Sequence, residues 1–296
     1  MQEALQWAAI PSDLLNIGAS LDSGQCFRWI AAENGDRLGI IGHSAVRLRT
    51  EAQGFWWQTY PEPDRWNVLE RYFALDIDVD ELYKQWRSVE PRMERSIHVN
   101  AGLRILRQDA EEAFFSFLCA SCNTVTKIRR SVQALARLYG EPVATLEGHT
   151  LYSFPRATEI AAASEQALRT ALWGYRAPRL IEAARIVLSH GDSWLEKLRS
   201  APYSSAHAEL TAIPGIGAKI ADCICLFALW HYEAVPIDTH VRKVATRWYR
   251  PDLTAKSLTP NVYQSLAATF RERFGPHAGW AQQYLFFDEL NHIEDV

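Results

Sequence analysis

Polar and apolar residues alternate in short runs up to about Tyr60, and beyond that point apolar residues recur every three or four positions. The first regime holds "RLGIIGH", "AVRLRT" and "GFWWQTY", parted by "ENGD" and "EAQG", and predicts short antiparallel strands joined by turns. After "PEPD" the spacing becomes helical, with Asp64 placed to cap "RWNVLERYFAL" and Asp80 to cap "ELYKQWRS". The same spacing runs through "EEAFFSFLCASC", "KIRRSVQALARLYG", "ATEIAAA", "SEQALRTAL", "APRLIEAARIVLSHG" and "SWLEKLRS", so helices and little else are expected there. The predicted class is α+β: an antiparallel β-rich domain over residues 1–90 packed on a larger, mostly α-helical body over 91–296.

One stretch breaks the helical pattern. In "AHAELTAIPGIGAKIADCICLFAL" the turn Pro214-Gly215-Ile216-Gly217 lies between two apolar helical runs, which predicts a helix-hairpin-helix near 205–230. Glycines at Gly215 and Gly217 allow positive φ and a close approach, and the second helix starts with free N–H groups that can hold a phosphate without cationic side chains. An ordinary turn between two helices fits the same residues. Lys219 falls in the first turn of the second helix, where the helix dipole disfavours an ammonium. That points to a nucleophilic amine, although a solvated surface lysine is the simpler assignment for the residue alone. Downstream, the apolar Val235-Pro236-Ile237 delivers Asp238 as the N-cap of a helix carrying His240, Val241, Val244 and Trp248, which could set a carboxylate near that amine.

Composition adds few constraints. With 48% hydrophobic and 22% charged residues the chain is a globular protein and not a disordered one. A net charge of −4 and a pI near 6.2 leave any nucleic-acid partner to local basic groups and backbone amides. No apolar run is long enough to span a bilayer and "MQEALQWAAIPSDLL" lacks the features of a secretory signal, so the expected place is wherever DNA lies: cytoplasm and nucleoid, or nucleus. Five cysteines, Cys26, Cys119, Cys122, Cys223 and Cys225, are an odd number that speaks against a disulfide framework, and Cys119 and Cys122 are read as buried structural thiols because their spacing has no second ligand pair. No cofactor and no metal is expected.

"IPGIGAKIADCICLFAL" followed by "AVPIDTHV" resembles the helix-hairpin-helix and Gly/Pro…Asp signature of a DNA glycosylase superfamily, most closely its 8-oxoguanine DNA glycosylase branch. "SGQCFRW", "FSFLCASCN", "GYRA" and "GWAQQYLF" resemble segments of that branch in the same order, so the likeness spans nearly the whole chain. It implies a monomeric bifunctional enzyme of base-excision repair acting on double-stranded DNA. Lys219 would attack C1′ of the damaged nucleotide and expel the base, leaving a Schiff base through which β-elimination nicks the strand, and Asp238 would be its acidic partner.

The same resemblance implies a flipped base held between Cys223 and Phe286, with Gln282 on its Watson–Crick edge. The Gly24 carbonyl would accept from the N7–H that 8-oxoguanine has and guanine lacks. Tyr175 and Arg176 would act as wedge and reader of the orphaned base, and Asn123 and His240 would contact DNA along with the hairpin glycines Gly215 and Gly217. "SCNTVTK" departs from the family pattern, with Cys122 and Lys127 where asparagine and arginine are usual. Lysine lacks the planar fork of arginine, so a strict preference for cytosine opposite the lesion is not implied. A glycosylase for alkylated bases and a non-catalytic hairpin DNA-binding protein are the alternatives.

Overall fold

The computed structural model describes residues 5–120, 123–191 and 193–294, the last four of these by backbone alone. Five strands, β1 (Gln6–Ala8), β2 (Ile30–Ala31), β3 (Arg37–Ile41), β4 (Ser44–Glu51) and β5 (Gly54–Tyr60), form one antiparallel sheet in the order β1-β5-β4-β3-β2. The period-two pattern sets its register: Val46 opposes Thr59 and Leu48 opposes Trp57, and the face bearing Val46, Leu48, Phe55 and Trp57 is buried. Against that face packs the helix Trp66–Tyr72 through Leu69, Tyr72 and Phe73. Tyr72 also accepts a hydrogen bond from the indole N–H of Trp29 at 2.9 Å.

The helices after Tyr72 share a second, larger core. Val79–Val89 and Met93–Val99 bury Leu82, Trp86, Met93 and Ile97 together with Phe270 from Pro260–Phe274 and Tyr284 from Ala278–Glu294. The chain thus folds as an antiparallel sheet lobe joined to a mostly helical body. Arg28 crosses between them, its guanidinium bonded to Glu112 at 2.8 Å and to the Tyr152 carbonyl. No helix among the described residues is long and apolar enough to cross a membrane.

Three local expectations are corrected. Asp64 does not cap the first helix: it adopts φ +67°, and Arg65 is the N-cap with no side-chain hydrogen bond. Asp80 sits inside the first turn of Val79–Val89, and Asp78 is the cap, accepting from the Glu81 N–H at 3.1 Å. The helical body also holds a hairpin of two strands, β6 (Pro142–Leu146) and β7 (His149–Tyr152). Its two-residue turn Glu147-Gly148 has positive φ at both positions, the geometry that tight hairpins need, but without the Asn-Gly or Asp-Gly pair that advertises it. Cys26, Cys119, Cys223 and Cys225 are buried free thiols, whereas Cys122 lies outside the described residues.

Candidate active site

The hairpin forms as the glycines require. Its helices are Tyr203–Thr211 and Ala218–Phe227, anchored by buried Ile213 and Ile216 in the turn. Gly215 takes φ +92°, which only glycine adopts cheaply. Gly217 does not: at φ −87° it is the extended N-cap of the second helix, and a Cβ there would meet no atom within 4 Å. Packing within the chain does not demand glycine at 217, and the helix N-terminus behind it faces open space.

Lys219 is the second residue of that helix and is half-buried. One helical turn on, Asp222 ties the hairpin to the rest of the body. Its carboxylate accepts from the Tyr203 hydroxyl at 2.6 Å on the first hairpin helix and from the Tyr263 hydroxyl at 2.5 Å. Tyr263 in turn accepts from the Ile237 N–H at 3.2 Å, the residue before Asp238. Burial pushes the Asp222 carboxyl up from the usual carboxylate range, opposed by His207 and the two tyrosine hydroxyls. A single buried group thereby fixes both the helix carrying Lys219 and the segment delivering Asp238.

Asp238 caps the helix Thr239–Trp248 as expected, but with one oxygen only. Oδ1 accepts from the His240 N–H at 2.9 Å and the Val241 N–H at 2.8 Å, while Oδ2 has no partner among the described residues. Capping therefore orients the carboxylate and leaves an oxygen available for chemistry.

Gly24 lies in the turn after the helix Ile17–Asp22 at φ +80°. Its neighbours hold the peptide in place. The Ser23 carbonyl accepts from Gln283 Nε2 at 2.8 Å, and buried Gln25 bonds the Ser20 and Arg104 carbonyls and the Leu106 N–H. Among the described residues nothing donates to the Gly24 carbonyl itself, so it is a fixed, open acceptor.

These segments meet around one hollow. Gly24, Lys219, Cys223, Asp238, Gln282 and Phe286 all line it, together with Phe117, Phe227 and Val241. Gln282 is 2% exposed and its Oε1 has no hydrogen-bond partner among the described residues, an orphaned acceptor in a buried position where pairing is the rule. Burial pushes the Cys223 thiol up to about 11; Lys219 pulls it down, and Asp222 and Asp238 push it up. The helix bearing Gln282 comes this close because Gly279 has no side chain: a Cβ there would lie 2.3 Å from the Ala234 carbonyl oxygen. Gln283 and Phe117 carried no assignment from the sequence. Adjacent glutamines on one helix point about 100° apart, so one can face the hollow while the next holds the Gly24 turn, a signal present in "QQ" but unreadable without the partner.

Residues 9–114 match the N-terminal domain of 8-oxoguanine DNA glycosylase, and residues 116–267 match the HhH-GPD superfamily of base excision DNA repair proteins. The N-glycosylase/DNA lyase OGG1 of Arabidopsis thaliana is 33% identical over 93% of this chain and 78% of its own. The N-glycosylase/DNA lyase of Saccharomyces cerevisiae is 28% identical over 95% and 85%. The 8-oxoguanine glycosylase/lyase of Clostridium acetobutylicum, crystallised with duplex DNA bearing cytosine opposite 8-oxoguanine, superposes with a TM-score of 0.85 at 27% identity over 99% of both chains. The chain belongs to the 8-oxoguanine DNA glycosylase family.

The remaining expected positions of this glycosylase lie outside the hollow. Asn123 follows the helix Ala110–Leu118, whose Phe117 lines the pocket, and its amide donates to the Cys119 carbonyl at 3.1 Å. Lys127 is exposed on the first turn of Val125–Tyr139. Tyr175 is exposed beneath the Arg176 guanidinium, 4.3 Å from its ring centre. The His240 ring packs edge-on to Phe286 at 6.0 Å, and its Nδ1 has no partner. One neighbour went unread in the sequence. Leu172 is 58% exposed and adopts φ +69°, a conformation costly for a leucine. Ser131 holds it there by donating to the Leu172 carbonyl at 3.0 Å, while the Trp173 indole donates to the Ser131 carbonyl at 3.1 Å.

Proposed function

We propose that this glycosylase excises 8-oxoguanine from duplex DNA and cleaves the resulting abasic site, using Lys219 as nucleophile. The observation that carries the reading is that six residues from well-separated segments, among them Lys219 and Asp238, line a single hollow. The flipped nucleotide enters it base-first, with the base between Cys223 and Phe286 and its edge meeting the orphaned Gln282 oxygen. The Lys219 amine attacks C1′ through its nitrogen lone pair, the C1′–N9 bond breaks, and the departing purine takes up a proton while the amine gives one up. Asp238 Oδ2 stabilises the positive charge that develops on the sugar. Opening of the ring yields an iminium, loss of a C2′ proton from it expels the 3′ phosphate, and the strand is nicked. The hairpin N-terminus at Gly217 approaches the phosphate backbone.

The test is a duplex carrying one 8-oxoguanine opposite each of the four bases. Excision and a borohydride-trapped protein–DNA adduct are expected, with a preference for cytosine of less than about a hundredfold, the scale of losing a bidentate arginine contact. Absence of an adduct with any duplex overturns the reading. A cytosine preference of orders of magnitude that survives Lys127→Ala shows that opposite-base selection does not depend on residue 127.

Leu172 belongs to the same reading, as an apolar group entering the stack beside Tyr175. Relief of the positive-φ strain at Leu172, about 1–2 kcal/mol, exceeds what the added freedom of glycine costs the folded state, so Leu172→Gly should raise stability by up to about 1 kcal/mol. The same change should weaken binding to the lesion duplex. Thermal melting and titration of labelled DNA check both signs, and unchanged DNA affinity excludes the wedge role.

A further inference from the structure

A second cavity, larger than the base pocket at about 290 Å³, is lined by Arg65, Arg71, Arg107, Arg199 and Trp230. The helices Ala110–Leu118 and Ala218–Phe227 pack against each other. The first starts at this cavity with Ala110 and reaches the base pocket with Phe117; the second lines the base pocket with Lys219, Cys223 and Phe227, and Trp230 of the cavity follows three residues after its end. At 1.5 Å per residue, Ala110 and Phe117 are about 10 Å apart along the first of these helices. The two hollows share no lining residue, so a nucleotide held in the base pocket does not itself fill this cavity.

Three guanidiniums converge on one indole. The Cζ atoms of Arg199, Arg71 and Arg107 lie 4.0, 4.9 and 5.2 Å from the Trp230 ring centre. Stacking uses the face of a guanidinium and leaves its in-plane N–H donors pointing outward. Arg107 commits all three of its nitrogens, donating to Asp76 at 2.6 and 2.8 Å and to the Tyr232 hydroxyl at 2.8 Å. Arg71 spends none: it has no hydrogen bond or ion pair among the described residues. Arg199 pairs with Glu196 and the Ala228 carbonyl, yet its Nε is buried without a partner. Arg65 has only a 3.5 Å contact with exposed Glu62. The acidic groups at the wall are Asp109, whose Oδ1 is bonded by the Glu112 N–H, and Glu196. Positive charge is in excess. Burial draws the Arg199 guanidinium down from its ordinary range, Glu196 draws it up, and Arg71 draws it down again, the mark of like charges held close.

We propose that this cavity binds a small, multiply charged phosphate compound, held by the free donors of Arg71, Arg65 and Arg199 over the Trp230 platform. Guanidinium forks match phosphate oxygens in pairs, and a single monovalent carboxylate would leave most of these donors unmet. The cavity is concave and of small-molecule size, unlike a surface that tracks a nucleic-acid backbone. The inference does not rest on the excision chemistry.

Pyrophosphate is the probe, titrated calorimetrically into the full chain at low ionic strength. One equivalent should bind, Arg71→Ala and Arg65→Ala should each weaken it by about tenfold or more, and excision of 8-oxoguanine by both variants should match wild type. Saturating lesion duplex should leave pyrophosphate binding intact. No binding at about 1 mM overturns the proposal, that being the weakest affinity such a site would show. So does binding indifferent to both arginine changes, and so does displacement by the duplex, which would put the anion in the DNA cleft.

Discussion

Lys219→Gln protein is expected to bind an 8-oxoguanine duplex about as well as wild type, to leave no borohydride-trapped adduct, and to lose excision by on the order of 10³-fold or more, the scale on which removal of a nucleophile acts. Glutamine is one bond shorter but keeps a polar, unbranched side chain in the half-buried position on the second hairpin helix, so the Asp222 clamp behind it stays intact. What it removes is the lone pair. Base excision through an iminium needs an amine, whereas excision through water does not, so the variant separates these two routes. Residual excision near the wild-type rate without trapping would mean that Asp238 activates water and Lys219 is a DNA contact. Failure of wild type itself to act on any damaged duplex would make the hairpin a binding element only. Asp238→Asn offers a second reading of the pair. Its amide oxygen can still cap Thr239–Trp248 through the His240 and Val241 N–H groups, so stability should hold while excision falls.

How much of this was legible beforehand follows from how local each signal is. Lys219 and Asp238 stood out because each sits on a short motif, a glycine turn and a helix cap, but a solvated lysine fitted the first equally, and their paired roles were implied only by the likeness of the segments around them. Their convergence on one hollow depends on Asp222, Tyr203 and Tyr263, which are spread over sixty residues of chain and look like unremarkable core positions. The β6–β7 hairpin was hidden because Glu147 takes a conformation that its residue type does not announce. Asp64 and Asp80 misled because an aspartate near a helix start caps it only in the right backbone geometry, which at the second helix belongs to Asp78. Leu172 was hidden for the same reason as Glu147. The arginine cavity was out of reach altogether, since Arg71 and Arg199 come from two helices far apart in the chain, Arg107 and Trp230 come from segments between helices, and no spacing links the four.

Gly24→Leu should separate damage recognition from strand cleavage. The site tolerates a Cβ sterically, with Phe286 Cε1 the nearest atom at 4.0 Å, but φ +80° makes any side chain there strained by about 1–2 kcal/mol. The bonds from Gln283 to the Ser23 carbonyl and from Gln25 to three backbone groups are enough to keep the turn in place against that strain. Beyond Cβ the leucine runs toward Phe286 and into the space a base would take. The carbonyl of residue 24 then no longer meets N7–H of 8-oxoguanine, and the buried donor on the base is left unpaired, at a cost of about 1–3 kcal/mol before the steric loss is added. Excision from an 8-oxoguanine duplex should fall at least about a hundredfold by the sum of these effects. A preformed abasic site presents no base to the pocket, and its C1′ still reaches Lys219, so incision there should fall by less than about tenfold on the same scale. Parallel single-turnover assays on the two duplexes give the ratio directly. If both activities drop together, residue 24 acts by holding the sugar or the fold, and the open carbonyl beside the pocket is not what distinguishes the damaged base.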